Sequence, residues 1–177
     1  MNDKFQELKE QFDSGEVFFE AEIYNELEDT ATFKHAIKIL ARKDYSRSKL
    51  VQKLKDRECP KDEIDPVIDL LIEKQWFKEE LYTEGRVKYF VRKGYHPKTI
   101  KTRLAEESVY TDIEFIFAVM NEQKVTIEDQ VRDLIIKRLP VGDMPERLPD
   151  RVMRYIVNRG HSFQDILNVF QETRKEF

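Results

Sequence analysis

Any chemistry this chain performs must come from a short set of residue types, and their spacing is restrictive. Three histidines, His35, His96 and His161, lie about 60 residues apart. None has a partner at the HxxH or HxxxH spacing that would turn two imidazoles toward one metal from a single helix face. His96 and His161 fall where one helical stripe gives way to the next, so capping or corner packing is their expected work. The one cysteine, Cys59, excludes an internal disulfide and a multi-cysteine zinc site. It precedes Pro60 in an expected turn and reads as a dispensable thiol rather than a nucleophile. There is no GxGxxG, no GxxxxGKS/T and no GxSxG, and 5 glycines leave little for a phosphate-cradling loop. The acidic pairs Glu79–Glu80 and Glu106–Glu107 are adjacent, so on a helix they diverge by about 100° and do not grip one ligand together. No catalytic residue, cofactor site or metal site is expected; the chain reads as a non-enzyme.

What remains is charge. The formal net charge of −4 hides a split: residues 1–30 carry ten acidic residues against two lysines, whereas 34–103 carry 19 Lys or Arg against 11 acidic residues. An acidic arm in front of a basic body fits an interaction tail, or a body that meets something anionic. Ordinary solvated helix faces are the plainer reading of the same numbers.

The elements that must position these cations are helical. Apolar residues recur at i, i+3, i+4, i+7 spacing: Phe33, Ile37, Leu40 and Ala41; Leu50, Val51 and Leu54; Ile64, Val67, Ile68, Leu71 and Ile72. The pattern goes on through Val87–Val91, Ile100–Leu104, Ile113–Met120, Ile127–Ile135 and Val152–Ile156, and ends in Phe163, Ile166, Leu167 and Phe170. Each set predicts an amphipathic helix with one buried face. Val17–Tyr24 alone is ambiguous and is read as helix. No stretch approaches the roughly 18 apolar residues of a membrane span. The opening MNDKFQELKEQF lacks the pattern of a secretory leader, so a reducing, cytoplasmic setting is expected.

Punctuation agrees with the stripes. Ser46, His96 and Ser162 each stand just before one, and Pro97 takes the first-turn position. Thr111 and Glu114 have capping-box spacing. Pro66 places the start of its helix near Glu63, or gives it an irregular first turn. Pro140, Gly142, Pro145 and Pro149 mark the longest internal loop.

One 15-residue window occurs three times without gaps: LARKDYSRSKLVQKL at 40–54, FVRKGYHPKTIKTRL at 90–104 and IVNRGHSFQDILNVF at 156–170. Positions one, eleven and fifteen are apolar in all three. Position four is Lys43, Lys93 or Arg159, a cation favoured at a helix C-terminus. Position five is Asp44, Gly94 or Gly160, types that tolerate the left-handed backbone ending a helix. Position six is a ring: Tyr45, Tyr95 or His161. The unit is helix, sharp corner, helix, and a third helix follows in the first two units, with Ile64 matching Ile113 and Ile68 matching Phe117. The expected fold class is therefore all-α: an elongated array of three tandem three-helix, helix-turn-helix-like repeats, the third partly divergent, behind the acidic N-terminal arm. The expected boundaries are 1–30 for the arm and 31–78, 79–125 and 126–177 for the repeats.

Three further motifs carry a family resemblance. AIKILARKDYSRSKLVQKL, DPVIDLLIEKQWFKEELYT and RKGYHPKTIKTRL, with the closing IVNRGHSFQDILNVF, resemble in order and spacing the pattern of the RecX family, regulators of the bacterial RecA recombinase. Together they span about four fifths of the chain. Gln75 stands where that family usually has Gly, Lys78 where it often has Asp, and His96 where it has Gly; Cys59-Pro60 shortens a loop. None of these touches the core pattern.

The resemblance implies a monomeric regulator of recombination, DNA repair and the SOS response. Such a protein lodges in the groove of the RecA–DNA filament and inhibits ATP turnover, strand exchange or filament extension. Its partners would be the RecA filament and DNA, met directly or through the filament, with no membrane and no cofactor. The expected contact face consists of Arg42, Lys43, Arg47, Lys49, Arg92, Lys93, Lys98, Lys101 and Arg159. Two other readings fit the same residues, a DNA-binding helical module and a helical adaptor, each acting independently of RecA.

Overall fold

The computed structural model describes residues 26–139 and 144–176. Among them the regular structure is entirely α-helical, in nine helices preceded by helical residues 26–29. They are α1 (Ala31–Leu40), α2 (Arg47–Lys55), α3 (Lys61–Glu73), α4 (Glu79–Arg92), α5 (Pro97–Glu106), α6 (Ile113–Glu122), α7 (Ile127–Arg138), α8 (Asp150–Val157) and α9 (Phe163–Lys175). Val17–Tyr24, most of the acidic arm and the middle of the Pro-rich loop lie outside the described residues.

Helices of this length are marginal alone, so caps and packing must hold them. Thr30 Oγ1 accepts the Phe33 N–H at 3.1 Å, Ser46 Oγ that of Lys49 at 3.4 Å, and Ser162 Oγ that of Asp165 at 3.1 Å. His96 caps α5 through its ring: Nδ1 accepts the Lys98 N–H at 3.2 Å. Thr126 and Asp129 form a reciprocal capping box, and the Thr126 hydroxyl and amide hold the Asp129 carboxyl below its ordinary range.

Two expected starts differ. α6 is entered from Asp112, not Thr111, with no side-chain cap, so the Thr111–Glu114 box does not form. α3 begins at Lys61 behind Pro60, which places Pro66 inside the helix. The bond Pro66 lacks would have gone to Asp62, still in the first turn.

The ends follow a pattern that the residue types conceal. Glu58, Gln75, Ser108 and Lys124 have φ of 59°, 58°, 58° and 54°, a left-handed conformation usually left to Gly or Asn. In each case the next amide, of Cys59, Trp76, Val109 or Val125, reaches back five residues to the carbonyl of Leu54, Leu71, Leu104 or Met120, at 2.9–3.2 Å. Gly94 and Gly160 are left-handed as expected, at 73° and 92°. Asp44 is not; the first corner is instead turned by Ala41 and Arg42, whose amides bond to Ile37 and Ile39.

The chain divides into two compact units, residues 1–82 and 83–177. In the first, α1, α2 and α3 pack on one another in pairs. Their core holds Phe33, Ala36, Leu50, Leu54, Ile64, Val67, Ile68 and Leu71, together with Leu27 from the helical residues before α1. In the second, α5 packs on α6, and α7, α8 and α9 pack on one another in pairs. Here Val131, Ile135, Val152, Ile156, Ile166, Val169 and Phe170 form one core cluster. Positions eleven and fifteen of the window, Leu50, Ile100, Ile166, Leu54, Leu104 and Phe170, are all buried. Phe117 and Phe163 are exposed, contrary to their stripes: Ile116 takes the inward place on α6, and Phe163 is the first residue of α9, where the helix has barely entered the core.

Candidate functional site

The nine expected contact cations divide between the units. In the first, Arg42 and Lys43 are exposed in the 41–46 corner, and Lys43 Nζ stands 5.9 Å from the Tyr45 ring. Lys49 is exposed on the first turn of α2. Arg47 is engaged internally: Nη2 donates to Asp65 at 3.0 Å and Nη1 to Asp69 at 2.9 Å, while its amide donates to Glu79. Two carboxylates on one guanidinium leave that spot without positive charge to offer.

The second unit holds Arg92, Lys93, Lys98, Lys101 and Arg159. Its central feature is a clasp between two copies of the repeated corner. The Arg159 Nε donates to the Lys93 carbonyl at 2.9 Å, and the His96 amide donates to the Arg159 carbonyl at 2.9 Å. His161 Nε2 faces the Gly94 carbonyl at 2.9 Å, and the His96 and His161 rings meet edge to face at 5.6 Å. Corner packing, as expected of both histidines, is what they do. Burial, more than any neighbour, pushes both imidazoles below their ordinary range. Gln130 of α7, buried, ties the same place by donating to the carbonyl of Val91 at 2.9 Å.

The clasp leaves Arg92, Lys93, Lys98 and Lys101 exposed around it. Arg159 is not free in that sense, because its guanidinium also lies 3.6 Å from the centre of the Tyr155 ring and 5.1 Å from that of Tyr95. Arg103 covers Tyr95 at 4.4 Å, and Arg138 covers Tyr155 at 3.8 Å. The result is a ladder in the order Arg103, Tyr95, Arg159, Tyr155, Arg138. Each ring quadrupole attracts its cations, and each plane orients the next.

Beside the ladder a cavity of about 380 Å³ opens between α4, the α4–α5 corner and the end of α5. Arg86, Tyr89, Phe90 and Lys93 line one wall, and Arg103, Glu106 and Glu107 the other. Glu106 and Glu107 both border this space, Glu106 as the last residue of α5 and Glu107 as the cap residue after it. Arg86 Nε donates to Glu107 Oε2 at 2.9 Å, and Nη2 donates to its other oxygen.

Sequence reasoning missed Arg86, Tyr89, Arg103, Arg138 and Tyr155. A signal existed for the first two: Arg86, Tyr89, Phe90 and Lys93 have i, i+3, i+4, i+7 spacing, so one stripe carries rings and cations together. Arg138 and Tyr155 lie on different helices, and nothing local announces their contact. Among the described residues there is no cluster of three or more metal-donor side chains, and no helix is long and apolar enough to cross a membrane. The geometry suits the capture of anions.

A family model described as RecX, first three-helix domain, matches residues 33–71, which hold most of α1, all of α2 and most of α3. The regulatory protein RecX of Pseudomonas fluorescens is 30% identical over 139 residues, which cover 77% of this chain and 87% of that protein. The regulatory protein RecX of Haemophilus influenzae is 21% identical over 148 residues, 82% of this chain and 96% of its own. A crystal structure of regulatory protein RecX superposes with a TM-score of 0.58 at 17% identity, over 82% of this chain and 70% of that one. That last likeness concerns the fold.

Proposed function

This chain belongs to the RecX family, and from that premise we propose that it is a negative modulator of the RecA recombinase. In this reading it acts in the cytoplasm as a monomer, binding the RecA–DNA filament and inhibiting ATP turnover, strand exchange or filament extension. It works by being gripped and performs no reaction. The nine helices form three repeats, 31–78, 79–125 and 126–177, which give the filament a series of similar corners.

The observation that carries the proposal is the set of four exposed cations, Arg92, Lys93, Lys98 and Lys101, around a corner that hydrogen bonds hold rigid. A preorganised cationic corner loses little freedom on binding an acidic protein face or DNA phosphate. Arg42, Lys43 and Lys49 would add contacts from the first unit. Arg47 and Arg159 would act by holding backbone and helices in place.

The test is RecA ATPase activity on single-stranded DNA, titrated with this protein. Suppression well below one copy per RecA indicates capping or lattice disruption, and a need for near-saturation indicates groove occupancy. Reversing charge together at Arg92, Lys93 and Lys101 should weaken the inhibition while leaving the thermal unfolding midpoint in place. Unchanged inhibition would remove this corner from the contact face.

A further inference from the structure

The first unit carries an apolar surface that cation-based binding leaves unused. At the close of α3, Ile72 is 45% exposed and Trp76, the one tryptophan of the chain, is 55% exposed. Part of the indole is engaged: the Phe33 ring of α1 lies 6.2 Å away, centre to centre, and Lys74 Nζ stands 5.6 Å from the indole centre. The rest faces water. A large ring left half open beside a second exposed apolar side chain is a surface to be covered.

The chain's own start leads onto it. Residues 26–29 are helical and are already anchored here. Leu27 belongs to the same buried cluster as Phe33, and Glu28 forms an ion pair with Lys74, the cation above the Trp76 ring. Upstream, the sequence keeps step with both anchors. Phe19, Ile23 and Leu27 recur every four residues, and Val17, Ala21, Tyr24 and Glu28 follow at spacings of four, three and four. On a helix these are adjacent rows of one broad apolar face, and Ile23 and Tyr24 stand one turn above Leu27 and Glu28. A helix of such length is marginal in water unless that face is packed.

We propose that residues 17–25 continue the helix of residues 26–29 and dock as a strap over Trp76. Ile23 and Tyr24 lie against the open part of the indole, and the Glu28–Lys74 pair clamps the base of the strap. The occupant is this chain's own arm because its attachment lies at the edge of the exposed ring. A segment tethered that closely meets the surface at an effective concentration on the order of millimolar, an advantage that a separate protein lacks. The apolar half of the acidic arm is thus spent within the first unit and is no free tail for another protein. The strap needs no recombinase, so its failure would leave the filament reading in place.

Trp76 reports on its own cover, since no other tryptophan emits. The experiment excites the full chain at the red edge, where tyrosine does not absorb, and measures emission maximum and acrylamide quenching. Ile23→Ser together with Tyr24→Ser removes the apolar cover and should shift the emission to the red and raise the quenching constant by about twofold. Phe18→Ser, about 120° or more around the helix from both, should leave emission and quenching as in the parent. Circular dichroism melts confirm that the variants are folded. In the unaltered chain, amide hydrogen exchange over 17–25 should run about tenfold or more below the rates of an unstructured peptide. Equal quenching in the parent and the Ile23/Tyr24 variant would overturn the proposal, as would unprotected amides in that segment. So would an equal rise in Phe18→Ser, which would deny the helical register. Protection of Trp76 that vanishes over about a hundredfold dilution would assign the cover to a second copy and overturn the strap as well.

Discussion

His161 Nε2 lies 2.9 Å from the carbonyl oxygen of Gly94, so the buried ring of one corner closes the backbone of another. The ring serves as a donor there, with its proton on Nε2, and its Nδ1 is buried without a hydrogen-bond partner among the described residues. Burial pushes its pKa below the ordinary 6.5, and His96 and Arg159 add to that push against Gly94 and Asp165. The His96 pKa is lowered too, by burial and then by Lys98. Below pH 6.5 the unfolded chain therefore binds protons that the folded chain refuses, and folding is penalised. Stability should be complete above about pH 6.5 and should fall as the pH drops from there. Urea midpoints at pH 7.5 and 5.5 check this, and His161→Asn should reduce the difference. An equal drop in that variant would assign the pH dependence elsewhere.

Gly160 and Gln75 have positive φ, and opposite outcomes are expected of them. At Gly160, with φ of 92°, a Cβ would collide with the Thr99 side chain at the start of α5. Gly160→Ala should cost about 2 kcal/mol in conformational strain plus the collision. Adding Thr99→Ala should recover only the collision part. Gln75 holds φ of 58° with a side chain attached, at a place where the RecX pattern usually has Gly. Gln75→Gly should therefore raise stability by about 1 kcal/mol. Chemical denaturation of the four proteins separates backbone strain from crowding.

Those two residues also show what the sequence displayed and what it hid. Leu50, Ile100 and Ile166 are all buried because hydrophobic spacing sets which helix face turns inward, and spacing is a local property. Gly94 and Gly160 announced left-handed corners by type. Gln75, Glu58, Ser108 and Lys124 did not, because the hydrogen bonds at those helix ends impose the conformation on residues that do not favour it. The candidate site was less legible. Lys43, Lys93 and Arg159, the cations of position four, are all expected on the contact face, yet Arg159 bonds back to Lys93, the residue at the same position of the preceding copy. Contacts between copies 66 residues apart leave no periodic mark in either window.

Arg47 should behave as a structural residue and Lys101 as a contact residue. Arg47 joins α2 to Asp65 and Asp69, one turn apart on α3. Those carboxylates are largely exposed, so the pairs contribute about 0.5 kcal/mol each, less in high salt. Arg47→Gln should lower the stability of the first unit by about 1 kcal/mol and leave RecA inhibition unchanged. Lys101→Gln should do the reverse. Denaturation curves and ATPase titrations on both variants decide the matter, and a loss of inhibition in Arg47→Gln at unchanged stability would make Arg47 a contact.

The Arg–Tyr ladder predicts a result that charge alone does not. In Arg159→Lys the net charge is kept, but an ammonium presents no plane to Tyr95 and Tyr155 and cannot reach both the Lys93 and Tyr155 carbonyls in the same fork geometry. Losing one carbonyl bond and the stacking on two rings should cost about 2 kcal/mol. Arg138→Lys, at the outer end, loses one stacked contact on Tyr155 and should cost about 0.5–1 kcal/mol. Because Tyr155 lies between the two arginines, the pair should couple: the double variant should lose less than the sum of the single losses, since Tyr155 is loosened only once. A double-variant cycle by urea denaturation measures this directly. Strict additivity would mean that the contacts are independent surface stackings and that the corner is held by its hydrogen bonds alone.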